Sequence, residues 1–159
     1  MTIIAILAVG VLSCVCFDIW QRLLVVLFKI PTSNWAIVGR WLVLGVTKGL
    51  WLNPNLISFP AFPNELKIGW VFHYFVAIIY AIIFFLLAHF FESVEFNWLS
   101  GLIFGMPSVI VPWFFFMPAT GSGFLALRSE NPTLACFLAF CAHSVFGLAM
   151  GIFFGISYL

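Results

Sequence analysis

Charged side chains are what this sequence has least of, since only 7% of its 159 residues are charged and 65% are hydrophobic. A soluble domain is about half apolar and about a quarter charged. So few charges could not cover a water-facing surface, and we therefore expect lipid to be the solvent of this chain. The formal net charge of +1 lacks the basic excess of nucleic-acid-binding proteins, so no nucleic-acid partner is predicted.

The sequence also lacks motifs that would indicate a particular enzymatic reaction. The sequence contains no G-x-S-x-G, no H-E-x-x-H and no phosphate-binding glycine loop. Its four cysteines, Cys14, Cys16, Cys136 and Cys141, lie in apolar segments without C-x-x-C spacing. This pattern favours small hydrophobic residues in helices, with metal ligation or a disulfide as alternatives. Whether the protein is an enzyme therefore stays open, and both the cofactor and any metal are unknown.

Four apolar stretches are long enough to cross a bilayer, whose ~30 Å hydrocarbon core needs about 20 helical residues. They lie at about 3–30, 66–91, 98–117 and 133–157. Backbone groups in lipid must bond internally, so we expect each stretch to be a helix. The first stretch has no positive amino-terminal region, so we interpret it as an uncleaved helix rather than a signal peptide. The predicted fold is an all-α membrane protein, a single transmembrane domain over 1–159 that forms a four-transmembrane-helix bundle.

The first connection, NWAIVGRWLVLGVTKGLW, is too charged for a fifth span and too apolar for an ordinary loop. Arg40, Leu44, Thr47 and Lys48 share one face of a helix drawn through it. An interfacial amphipathic helix fits this pattern best, and a re-entrant segment or a plain loop are the alternatives.

Lysines and arginines predict the orientation, because cytoplasmic connections carry an excess of both. Such residues occur in or beside the first connection (Lys29, Arg40, Lys48 and Lys67), and Arg128 lies in the third. The second connection, FESVEFN, has only acidic charges, among them Glu92. We therefore predict that Arg40 and Arg128 face the cytoplasm, and that Glu92 and both termini face the other side.

Glycines recur at every fourth position in the last span, at Gly147, Gly151 and Gly155, and the third span has Gly101 and Gly105. Small residues at this spacing let helix backbones approach closely in lipid. The pattern therefore predicts close packing of the last span through its glycine face.

An internal sequence similarity relates the two halves of the chain. HYFVAIIYAIIFF, from His73, resembles HSVFGLAMGIFFG, from His143, and a proline-marked exit precedes each segment. This similarity predicts two helical hairpins in tandem, with an insertion in the first. The alternative is a chance similarity between apolar helices.

Ionisable side chains inside the spans indicate a polar site, since each costs ~2.5–3.5 kcal/mol on an insertion scale unless it faces protein or water. The candidates for ligand binding are Asp18, Arg22, His73 and His143, which share the same half of the bilayer. Asp18 and Arg22 are four residues apart on one helical face, so they can meet directly. We expect the two charges to neutralise each other and to form a site with the histidines. A purely structural role for these residues is the alternative.

Several short motifs together resemble a known family. They are Asp18 with Arg22, GRW at 39–41, GWVFHY at 69–74, PATGSG at 118–123, SENP at 129–132 and HSVFG at 143–147. The sequence resembles a bacterial inner-membrane family, domain-of-unknown-function family 2938, over nearly its whole length. The resemblance implies a four-helix protein of the inner membrane, whose termini would be periplasmic in the orientation predicted above. It implies no established activity.

Three functions fit these observations. The first is a small transporter, channel or ligand-binding bundle in which the four candidate residues line a polar pocket open to the cytoplasm. The second is a membrane redox protein or enzyme, with His73 and His143 as axial haem ligands. The third is a structural or accessory membrane subunit. The expected partners are the lipid bilayer and a small ligand or ion, and a homo-oligomer is left open.

Overall fold

All four apolar stretches and the first connection contain helices in the computed structural model, which describes residues 2–91 and 93–158, without the side chain of residue 158. Helix α1 covers Ile3–Phe28, α2 Trp35–Lys48, α3 Glu65–Phe90, α4 Trp98–Ala119 and α5 Pro132–Tyr158. All but α2 are long and apolar enough to cross a membrane, and the described ranges contain no strand. The predicted all-α fold with four spans is thus confirmed, and these helices identify a multi-pass membrane protein.

Helix α2 confirms that the first connection is helical, while its place at the membrane interface stays a prediction. Asn34 caps its amino terminus, where Oδ1 accepts hydrogen bonds from the backbone N–H groups of Ala36 and Ile37 at 3.1 and 3.4 Å. Gly49 ends the helix with φ +69°, a conformation that costs glycine little. Lys48 in the last turn complements the negative end of the helix dipole.

Helix α4 contains three prolines, Pro107, Pro112 and Pro118, and one wide π turn over Pro112–Phe116. Proline lacks the N–H that would complete the α-helical ladder. In the π turn the N–H of Met117 instead donates to the carbonyl of Pro112, five residues earlier. The backbone of α4 is therefore less regularly bonded than that of an α-helix of the same length.

Two compact units make up the chain. Unit 1 holds α1 and those parts of α3, α4 and α5 that lie within 74–108 and 140–158. Unit 2 holds 33–73 and 109–139. The prediction of a single domain and that of two tandem hairpins are not tested by this division, and both stay predictions.

In unit 1 the core and the glycine crossing hold the helices together. Its largest fully buried side chains come from α1, α3 and α5, and they are Val9, Cys14, Phe84, Met150 and Phe154. Helices α4 and α5 cross backbone to backbone: a Cβ atom on Gly105 would lie 2.6 Å from Gly147 Cα, and one on Gly151 would lie 2.9 Å from Gly101 Cα. Close packing through the glycine face of the last span is confirmed.

Unit 2 has a smaller core around Trp41, with Leu44, Leu56 and Ala119. The Trp41 indole N–H donates to the carbonyl of Trp51 at 2.8 Å, so its one polar group is satisfied. Helices α2 and α3 also meet at glycines: a Cβ atom on Gly39 would lie 2.9 Å from the backbone nitrogen of Gly69. This close approach brings the side chain of residue 40 to the start of α3.

Candidate functional site

In unit 1 a carboxylate of α1 is bonded to a phenol of α3. Tyr74 Oη donates a hydrogen bond to Asp18 Oδ2 at 2.9 Å, and both side chains are half-buried. Hydrogen bonds to an ionised acceptor are about twice as strong as neutral ones, so a phenol is a suitable partner for a carboxylate in an apolar span. The bond joins two spans that are 56 residues apart in sequence.

Polar and polarisable side chains accompany Asp18 along α1. Ser13 and Cys14 are fully buried, and Gln21 is nearly so at 8% exposure. The Ser13 hydroxyl donates to the Val9 carbonyl at 2.7 Å, which satisfies it within its own helix. An apolar span thus carries buried polar and polarisable side chains, among them Cys14, which lies one turn before Asp18.

Arg22, one turn after Asp18, has an exposed side chain. A hydrogen bond from Tyr74 of α3 reaches the Asp18 carboxylate. An exposed arginine near the end of a span can extend its guanidinium toward the headgroups. An ion pair of Asp18 with Arg22 therefore stays a prediction.

His143 lies in unit 1 at the glycine crossing of α4 and α5. Its Nδ1 is 2.7 Å from Ser108 Oγ, and Ser108 in turn donates to the carbonyl of Gly105 at 2.6 Å. The ring of Tyr80 meets the imidazole edge to face, with 6.3 Å between centroids. These contacts tie the imidazole to α4 and place an aromatic ring of α3 against it.

His73 belongs to unit 2, where it lies among tryptophans. Its ring stacks on Trp35, the first residue of α2, with a centroid distance of 3.8 Å and an interplanar angle of 26°. Trp70 meets the same imidazole in a T-shaped contact at 5.7 Å. The site shared by Asp18, Arg22, His73 and His143, and the role of the two histidines as haem ligands, stay predictions.

A buried ion pair in unit 2 was not predicted from the sequence. The Arg40 guanidinium binds the Glu65 carboxylate through two hydrogen bonds of 2.9 Å, and the two side chains are 10% and 12% exposed. Arg40 Nη1 also donates to the carbonyls of Ile57 and Phe59, while Glu65 accepts a further bond from the Phe62 N–H. The bond to Glu65 raises the pKa of Arg40. This network fastens α2, the loop after it and the start of α3 together.

Tyr74 and Ser108 were also missed, although each stands in a span. A polar residue in an apolar helix needs a partner, and that need is the signal that could have found them. Arg40 offered the same signal, because it interrupts the apolar run AIVGRWLVLG.

The family model described as "Protein of unknown function (DUF2938)" matches residues 7–156. The chain belongs to this family. The match covers nearly the whole chain and includes both bonded pairs of unit 1, Asp18 with Tyr74 and Ser108 with His143. No curated protein and no solved structure matches the chain. Membership in the DUF2938 family confirms the resemblance drawn from the motifs, and it assigns no activity.

Proposed function

We propose that the protein is a multi-pass protein of the bacterial inner membrane that binds a small ligand or ion at an intramembrane polar site, as a small transporter, channel or ligand-binding bundle does. The observation that carries this proposal is the Asp18 carboxylate, bonded to Tyr74 between two apolar spans. Arg22, His73 and His143 remain candidates for lining the same site.

The cost of placing a carboxyl group in a span supports a functional role for Asp18. An aspartate at the centre of a span costs ~2.5–3.5 kcal/mol on the insertion scale. Side chains of this kind are rare in spans, and where they occur they mark ligand or ion pathways.

The charge of the site limits what it would bind. A carboxylate attracts a proton, a metal cation or a ligand with a positively charged or hydrogen-bond-donating group. The Tyr74 hydroxyl already donates a hydrogen bond to this carboxylate. Carboxylates inside spans are typical of proton and cation pathways.

Labelling with dicyclohexylcarbodiimide, which reacts with protonated carboxyl groups in apolar surroundings, tests this proposal. Asp18 is expected to be labelled in membranes at a fixed pH. A cation that binds at the site should reduce this labelling, and Na⁺, K⁺, Mg²⁺ and Zn²⁺ can be compared as probes. Mass spectrometry of the peptide that contains Asp18 measures the labelled fraction.

Two variants make this experiment specific. Asp18→Asn should abolish the label, whereas Tyr74→Phe keeps the carboxyl group and should keep the label. Glu95, exposed in the connection between α3 and α4, is the reference carboxyl and should stay poorly labelled. Labelling of Asp18 that none of these cations reduces would contradict a cation-binding role and leave the structural one.

Orientation in the membrane gives a separate prediction. Glu92, assigned above to the periplasmic side, lies outside the described residues, so Glu95 of the same connection is used. Glu95→Cys is expected to react with a membrane-impermeant maleimide in intact cells, and Arg128→Cys only after permeabilisation. The unmodified chain is the control, since its four cysteines lie in α1 and α5. The opposite labelling pattern would reverse the proposed topology.

A further inference from the structure

Ser108 makes two short polar contacts that together determine where hydrogens lie. Its Oγ is 2.6 Å from the carbonyl oxygen of Gly105 and 2.7 Å from Nδ1 of His143. Oxygen and nitrogen atoms approach this closely only when a hydrogen lies between them. The arrangement therefore needs two hydrogens, one in each contact.

Counting the available hydrogens leaves one assignment. The Gly105 carbonyl oxygen carries no hydrogen, and the Ser108 hydroxyl carries one. The serine hydrogen must therefore lie toward Gly105, and the hydrogen in the other contact must come from the imidazole. His143 thus carries its hydrogen on Nδ1 and donates it to Ser108 Oγ.

We propose that His143 is a proton-binding site at the crossing of α4 and α5, where Nδ1 always keeps its hydrogen and Nε2 is the atom that takes up and releases the proton. A neutral imidazole has a single N–H, so the Ser108 contact makes Nε2 the basic nitrogen. Uptake converts the ring to imidazolium with the Nδ1–H bond to Ser108 intact, and release returns the proton to the donor, a water molecule or a bound ligand.

The position of His143 suits this role. It lies about 3 Å along the axis from the middle of α5 at a rise of 1.5 Å per residue. The phenol ring of Tyr80 contacts the imidazole from α3, and α4 contributes the Ser108 hydroxyl. Histidines within spans take part in the proton relays of pumps and transporters. The inference goes beyond the Asp18 site and rests on the Gly105–Ser108–His143 geometry alone, so either can fail without the other.

Nitrogen NMR of the full-length protein, labelled with ¹⁵N-histidine in lipid bilayers, tests the assignment directly. At high pH the His143 ring should show a protonated Nδ1 and an unprotonated Nε2. As the pH is lowered, the Nε2 signal should move to the protonated range while Nδ1 stays protonated. His143→Gln identifies the signals by their loss, and if that variant does not fold, His73→Gln and His89→Gln identify them by elimination.

A serine variant then tests the cause. Ser108→Ala removes the acceptor, and the preference for Nδ1–H over Nε2–H should be lost, whereas Ser108→Thr keeps a hydroxyl and should preserve it. A neutral His143 with its hydrogen on Nε2 in the unmodified protein would overturn the proposal. So would an Nε2 signal that does not respond to pH between 5 and 9, or a Ser108→Ala protein that keeps the Nδ1–H form.

Discussion

Gly151→Leu is expected to remove most of the folded protein from detergent extracts. A Cβ atom at position 151 would lie 2.9 Å from Gly101 Cα and against the carbonyl of Asn97, so a leucine would force α4 and α5 apart. Overpacking a core costs about 1–3 kcal/mol and sometimes more. Separated helices in lipid also lose contacts that no hydrophobic effect replaces. Thermal melting and the monodisperse fraction in size-exclusion chromatography measure the loss.

The neighbouring residue provides a matched control for Gly151→Leu. Ile152 lies on the same helix with 42% of its surface exposed, and Ile152→Leu introduces the same side chain one position later. This variant should melt like the parent protein. If Gly151→Leu also melts like the parent, α5 does not depend on its glycine face.

Arg40→Ala should destabilise the protein by ~3–5 kcal/mol, the usual cost of removing one partner of a buried ion pair. It would leave the Glu65 carboxylate without its two charged hydrogen bonds, and the carbonyls of Ile57 and Phe59 without their donor. Arg40→Met combined with Glu65→Leu removes both charges and keeps apolar volume, so it should be milder than Arg40→Ala alone.

Chemical denaturation in detergent, applied to Arg40→Met, to Glu65→Leu and to the variant that combines them, gives the coupling energy between Arg40 and Glu65. Arg128→Ala is the control, because that arginine is exposed and its loss should change stability by no more than about 0.5 kcal/mol. Additive effects of the Arg40 and Glu65 changes would show that the pair does not stabilise unit 2.

Patterns within one segment of sequence were enough to predict most of the fold. Hydropathy and length identify the four spans, and the glycine spacing in α5 identifies the face that meets α4. Both signals are local, because bilayer thickness sets the length of a span and backbone contact requires small residues at helical spacing. The family was likewise recognisable from motifs spread along the chain.

Partners between helices were not predictable in this way. Asp18 was expected to meet Arg22 because i, i+4 neighbours are visible within one helix. Its bond to Tyr74 depends on how α1 and α3 are rotated about their axes, which no single segment specifies. Glu65 lies just outside the predicted second span, 25 residues after Arg40, and no pattern within one segment links the two residues.

The prolines of α4 also affect how readily this helix bends. A span usually resists bending because broken backbone hydrogen bonds find no water in hydrocarbon. At Pro107, Pro112 and Pro118 the α-helical bond is already missing, and the π turn has shifted another bond by one residue. Bending α4 near these residues therefore breaks fewer bonds than bending α1, α3 or α5 in mid-span. Of the four apolar helices, α4 is therefore the one that bends most readily.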